Sequence, residues 1–537
     1  MNNSSLVIIF VPEMLSFKIK YYGNDEFFEY SNSYDFNTSN VESVVISGEM
    51  VPHFSFARCY TLKSVILDGT VTIGKRAFAD CVSLKSITLP NTLKVIEKAA
   101  FIHTGLENLI LPNSIETVGG YAFAANHHLK SVILPSTLET ISYEMFSNCF
   151  ELESIMMVVK DDSGQSIVND DIPPSVTSIG SGAFSGCRSL KSFNIPSSVK
   201  FIGNDAFSKS GIESIKLPNT IEEINSRMFR ECKSLKNITI PNTVRIIKSK
   251  AFKHCSSLTN IVIPNSVIKI EDSAFSHCYE LRTITLSKNI KYIPRKLFYY
   301  CISLTSININ EDSSVKNDLS SLNLVSIEKM AFCDCQELTH LILPNTIKRI
   351  YPYVFADCKS LTNIVLPTSS LTVLPIGVFY GCHSLKNINL PNTITKIGDD
   401  CFAFCKSLVN LILPNSITKI SDGCFAFCKS LMNVKLPNSL KTIRLSTFFN
   451  CSSLIDITIP DSVERIWFNA FKGCYSLKNI SANGVRIIDD EAFTYCHSLI
   501  NINFPNLLAL GDGNSFSEED GEEDCRIAYM NSINDQQ

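Results

Sequence analysis

The feature that most limits what this chain can become is a phenylalanine that returns every 22 or 23 residues, usually followed three positions later by cysteine. It stands at Phe56, Phe78, Phe101, Phe123, Phe146, Phe184, Phe207, Phe229, Phe252, Phe275, Phe298, Phe332, Phe355, Phe379, Phe402, Phe425, Phe448, Phe471 and Phe493. A fixed period of this size marks stacked coils, each too small to cover its own apolar face and each covered by its neighbours. A shared interior of that kind replaces the several separate domains that 537 residues would otherwise suggest.

The coil from Cys232 to Phe252 reads CKSLKNITIPNTVRIIKSKAF. Leu235, Ile238 and Ile240 set up an alternation that predicts a short strand with its isoleucines inward. Pro241 has no N–H to give a neighbour, so the ladder should stop there, and Asn242 and Thr243 turn the chain. Val244, Ile247 and Phe252 bring apolar bulk back along an outer wall. This predicts a second short extended piece and then a helical turn over 251–255.

The recurring string L-x-x-I-x-[IL]-P-[NS]-[ST]-[VIL]-x-x-I, followed by A-F-x-x-C-x-S-L, resembles the BspA-like class of leucine-rich repeats of bacterial and protist surface proteins. The likeness runs roughly from Val41 to Leu510. It implies an α/β architecture: a curved, right-handed solenoid of about 19 repeats, with a parallel sheet on the concave wall and short strands or helical turns on the convex one. It also implies adhesion, through binding of host or matrix proteins, at a cell surface.

Around the repeat, residues 1–40 lack the motif but carry Phe27, Phe28, Tyr30, Tyr34 and Phe36, which suits a cap over the first coil. The solenoid is expected over 41–510, with insertions near 158–171 and 310–321. Both insertions are rich in Asp, Ser and Asn, which predicts exposed excursions. From Gly511 the chain turns acidic, which predicts a disordered tail over 511–537.

A composition of 45% hydrophobic and 19% charged residues supplies a large core, and a net charge of -4 leaves no global basic field for nucleic acid. The short apolar run Leu6 to Val11 is closed by Pro12 and Glu13 and has no Lys or Arg before it, unlike an export signal. No later stretch reaches the ~18 apolar residues of a membrane span. These residues alone suggest a cytoplasmic chain, against the surface placement that the resemblance implies.

Of the 20 cysteines, sixteen share one repeat position, and Thr104, Asn126 and Ser210 replace them in three coils. A slot that accepts Cys, Thr, Asn or Ser asks for a small side chain with a weak hydrogen bond, so these are read as buried free thiols and not as disulfides or metal ligands. Cys401 and Cys424 replace the usual Ala before Phe and are also packing residues. The nine histidines include His254 and His277 one coil apart, in a slot filled elsewhere by Asp80, Asn148, Glu231 or Asp357, which reads as variable and solvent-facing. No histidine travels with a nucleophile and a carboxylate, and no phosphate loop is present, so no catalytic, cofactor or metal residue is assigned.

In the strand, the residues between the buried ones face outward along the concave wall. The candidate contact residues there are Ile110, Ile133, Met156, Asn194, Lys216, Asn237, Asn260, Ile342, Asn363, Asn387, Ile412 and Asn433. Neutral amides and aliphatic side chains in such columns suit a protein or glycan partner bound by a monomer without chemistry. The alternative is an intracellular scaffold of the same fold. A less favoured third reading, a carbohydrate-cleaving β-helix, needs paired carboxylates, whereas the wall offers Asp456 and scattered lysines.

Overall fold

The computed structural model describes residues 5–10, 16–21, 27–31, 41–160, 166–169, 172–192, 194–309 and 316–511. The chain divides into two compact units, Met1–Pro264 and Asn265–Gln537. Each is a stack of coils, and each coil has three sides.

The first side is a strand of about three residues. Asn237–Thr239 pairs in parallel with Ser214–Lys216 of the preceding coil, Ile238 opposite Ile215. The second is the predicted short extended piece: Ile246–Ile247 lies parallel to Glu223–Ile224. These are called the long-strand and short-strand walls below. Between them Pro241 ends the strand, and Thr243 Oγ1 donates to Ile221 O of the preceding coil at 2.7 Å.

The third side corrects the expected helical turn, because the described residues contain no helix. Arg227, Phe229 and Glu231 donate their N–H groups forward to Ser249, Ala251 and Lys253 of the next coil, at 3.1, 2.8 and 2.7 Å. The residue after each of these, Met228, Arg230 and Cys232, donates back three positions instead. Two residues before and two residues after every repeat phenylalanine, φ is positive, from +49° at Glu144 to +79° at Gly186. Left-handed residues at that spacing break the i to i−4 bonding that a helix needs. Val, Ile and Thr never occupy these positions, as expected where a branched Cβ crowds the carbonyl. Replacing exposed Lys209 (φ 60°) with Val should lower stability by about 1–2 kcal/mol, and Lys209→Gly should be neutral or slightly stabilising. Urea denaturation measures both.

All three sides face one interior within each unit. The phenylalanines stack face to face, Phe56 through Phe252 in the first unit and Phe275 through Phe493 in the second, with centroids from 5.2 to 6.2 Å apart. None is more than 2% exposed. The thiols below them are free, and Sγ donates to the carbonyl of the phenylalanine one coil earlier, at 2.9 Å for Cys232 and 3.3 Å for Cys335. Asn126 shows what the slot requires: its Nδ2 makes the same bond, to Phe101 O at 2.9 Å, and adds Phe123 O at 2.7 Å.

Before the first coil, Ser5–Phe10, Ser16–Tyr21 and Phe27–Ser31 form antiparallel neighbours, and Ser5–Phe10 runs parallel to Ser43–Ser47. The rest of 1–40 and the acidic stretch 512–537 lie outside the described residues. The first insertion extends Ser154–Lys160 into an antiparallel hairpin with Ser166–Asn169, Val158 opposite Val168.

The second insertion departs from an exposed loop. Asn317 and Leu319 are buried (1% and 0% exposed), while 310–315 lie outside the described residues. Asn317 N donates to Ile307 O (2.9 Å), its Oδ1 accepts from Ile307 N (2.7 Å) and its Nδ2 donates to Thr305 O (2.9 Å). On its far side Asn317 O accepts from Ile342 N at 2.9 Å. One asparagine thus acts as an extra rung between Ser306–Asn308 and His340–Ile342. A buried ladder position must satisfy its polar groups, and the amide does so.

Candidate binding surface

Strand alternation turns Leu and Ile inward on the long-strand wall and sends the residues between them to the surface. Asn194, Lys216, Asn237, Asn260, Asn363, Asn387, Ile412 and Asn433 are all exposed, whereas Ile133, Met156 and Ile342 are half-buried. Two other residues of these columns, Thr285 and Ser306, are buried on the coils just before the second insertion (7% and 4% exposed).

The first unit brings three of the candidates together. Ile133 stands opposite Ile110 on one side and Met156 on the other, so three apolar side chains lie in register across adjacent strands. Ile110 is 61% exposed. The hairpin ending at Asn169 borders this patch, because its first strand is the one that carries Met156. In the second unit Ile412 is 73% exposed, with Lys435 as its cross-strand neighbour. Asn433 faces Asn410, Asn363 faces His340 and Ile342 faces Val365.

The amide column is partly occupied with itself. Asn433 Nδ2 donates to Asn410 Oδ1 (3.3 Å), Asn479 Nδ2 to Asp456 Oδ1 (2.7 Å) and Asn501 Nδ2 to Asn479 Oδ1 (2.6 Å). Ser131 donates to Asn108 in the same way at 2.6 Å. Groups already bonded along the stack have less to offer a partner than the aliphatic column beside them. Where Ser64–Asp68 and the segment around Ser86–Thr88 face each other, a cleft of about 430 Å³ opens on this wall, lined partly by Ile66, Ile87 and Pro90. The sequence did not mark this cleft, because the repeat motif is intact there.

Groups that could perform chemistry lie elsewhere. Asp357 and Asp400 on the turn wall have carboxyls raised above the ordinary range by burial first, then by Asp334 and by Asp399 respectively. His103 Nδ1 is 2.8 Å from the Asp80 carboxylate on the same wall. Among the described residues no three His, Cys, Asp or Glu side chains come together to hold a metal ion, and no helix is long and apolar enough to cross a membrane.

Coils with inward Leu and Ile, a stacked phenylalanine and an open parallel wall define a leucine-rich-repeat solenoid. The chain belongs to the family described as BspA type leucine rich repeat region, matched over 49–161, 162–257, 222–320, 313–431 and 395–521. Among solved structures it is similar to a leucine-rich repeat protein from Bacteroides ovatus at 29% identity and a TM-score of 0.50, covering 66% of this chain and 89% of that one. It is also similar to a leucine rich cell surface protein from Faecalibacterium prausnitzii at 25% identity and a TM-score of 0.41, covering 65% and 92% respectively. None of the curated proteins matches this chain.

Proposed function

We propose that this protein is a non-catalytic binding solenoid whose long-strand wall holds a protein or glycan partner, in the manner of an adhesin. The observation that supports this most is the in-register apolar triplet Ile110, Ile133 and Met156, with Ile110 left 61% exposed. Exposed aliphatic groups aligned on a rigid sheet cost little ordering entropy when a partner covers them. The cap over 1–40 and the acidic segment after residue 511 are proposed as parts flanking this binding body.

The combined variant Ile110→Asp, Ile133→Lys, Met156→Asp should keep the circular dichroism of the parent and lose at least about tenfold in affinity. Parallel capture from host and self lysates, quantified by mass spectrometry, measures this. Equal recovery of the same partners by both proteins would move the site to another wall.

A scaffold inside the cell is the second reading. It is favoured by the nineteen cysteines among the described residues, which are buried and not joined in disulfides, a state that reducing compartments maintain. Fractionation of the source cell separates the two.

A further inference from the structure

The short-strand wall of the second unit carries a charge pattern that the binding triplet does not use. Between Lys291 and Thr442 six of its exposed residues are cations: Lys291, Lys348, Arg349, Lys396, Lys419 and Lys441. Between Lys291 and Thr442 the two outward columns of this wall hold no carboxylate. None of the six takes part in a side-chain hydrogen bond or ion pair with a described residue. Lys396 even stands directly opposite Lys419 in the parallel register, an arrangement that is unfavourable unless an anion lies across it.

The nearest outward cations on either side of this stripe are paired, whereas Arg486, one coil beyond Arg465, is not paired with a described residue. Lys269 reaches Glu271 at 2.8 Å before it, and Arg465 reaches Asp489 at 2.8 Å after it. The unpaired stretch covers seven coils, six steps of ~4.8 Å or about 29 Å. Five lysines and one arginine on this surface, with Tyr292 at its first coil as the one aromatic in the two outward columns and Glu328 at its border bonded to Ser326 Oγ, suit an extended acidic peptide better than stacked bases.

The chain itself supplies one. The last strand of the same wall, Ala509–Leu510, pairs with Ile487–Ile488, and the chain leaves this wall at Gly511. Residues 518–524, outside the described residues, read EEDGEED, with six acids. Lys441 stands three coils from Gly511, roughly 14 Å, and Arg349 seven coils, roughly 34 Å. An extended chain reaches ~24 Å by residue 518 and ~45 Å by residue 524. Reach and charge both match.

We propose that residues 518–524 dock as an extended acidic segment along the stripe from Lys441 toward Arg349, and so occupy this wall against other polyanions. The proposal is independent of the long-strand site. Zero-length carbodiimide cross-linking of the full chain at low salt, followed by peptide mass spectrometry, tests it with a neutralised variant (E518Q, E519Q, D520N, E522Q, E523Q, D524N). Cross-links within single chains should join 518–524 to Lys396, Lys419 or Lys441, and should fade at ~0.5 M salt. With heparin as the probe, the neutralised variant should bind at least about tenfold tighter than the parent, and adding K396E and K419E should remove that gain. Cross-links only between two chains, cross-links to lysines elsewhere, or a heparin affinity unchanged by neutralisation would overturn the proposal.

Discussion

Raising the pH from about 8.5 toward about 11 is expected to unfold this protein cooperatively, with the thiols as the cause. Burial pushes the thiols of Cys149, Cys232 and Cys428 up to about 12, and those of Cys187, Cys301, Cys358, Cys382 and Cys451 are also raised, in each case by burial first. In the unfolded chain a thiol ionises near ~8.5. Below that value both states keep the proton and stability is complete. Above it the unfolded state releases protons that the folded state retains, so stability falls as pH rises, by about 1.4 kcal/mol per unit for each thiol. A ladder of such groups exhausts a net stability of roughly 5–15 kcal/mol within one or two units. Far-UV circular dichroism against pH, in reductant, should show the loss between about 9 and 12, and a small disulfide thiol probe should react only as the signal falls. A sheet still intact near pH ~11.5, with its thiols unreactive, would refute this account.

The second large effect is local. Asn317→Ala should cost about 3 kcal/mol in the second unit, because it leaves the buried Ile307 N–H without its acceptor and places an alanine Cβ in a left-handed conformation. Ser320→Ala, exposed and in the same insertion, should stay within about 0.5 kcal/mol. Urea denaturation gives both numbers, and hydrogen exchange should quicken at Ile307 and Ile342, the amides that bond Asn317. Equal, small changes in both variants would show that the extra rung carries no weight.

Much of this fold was legible in the residues. The spacing of Phe207, Phe229 and Phe252 revealed the stack, and the replacement of Cys by Asn126 revealed a slot that needs one weak donor. The third side of the coil was not legible. Ala251, Phe252 and Cys255 have the spacing of a helical face, and the left-handed residues around them, Lys250 and His254, are ordinary in type. The available signal was what never occurs there, a branched Cβ. Asn317 escaped for a different reason: a run rich in Asp, Ser and Asn reads as a solvated loop, and nothing local shows that one amide will be drawn into a ladder. The outward columns of the long-strand wall were readable from strand alternation alone. Their self-bonding amides depend on the register between coils, which no single coil reveals.

On the turn wall each repeat phenylalanine donates its N–H to a carbonyl of the next coil, as from Phe402 to Cys424 and from Phe425 to Thr447, while the ladder thiols donate to the coil before. Every coil is therefore completed by the one translated after it, and a chain emerging from the ribosome always ends in a turn whose donors are still waiting. Growth by gain of a whole coil preserves that grammar, while a deletion of any other length breaks the sentence at the splice. The near-identical neighbours CFAFCKSL at 401–408 and 424–431 are what lengthening in whole coils would leave behind.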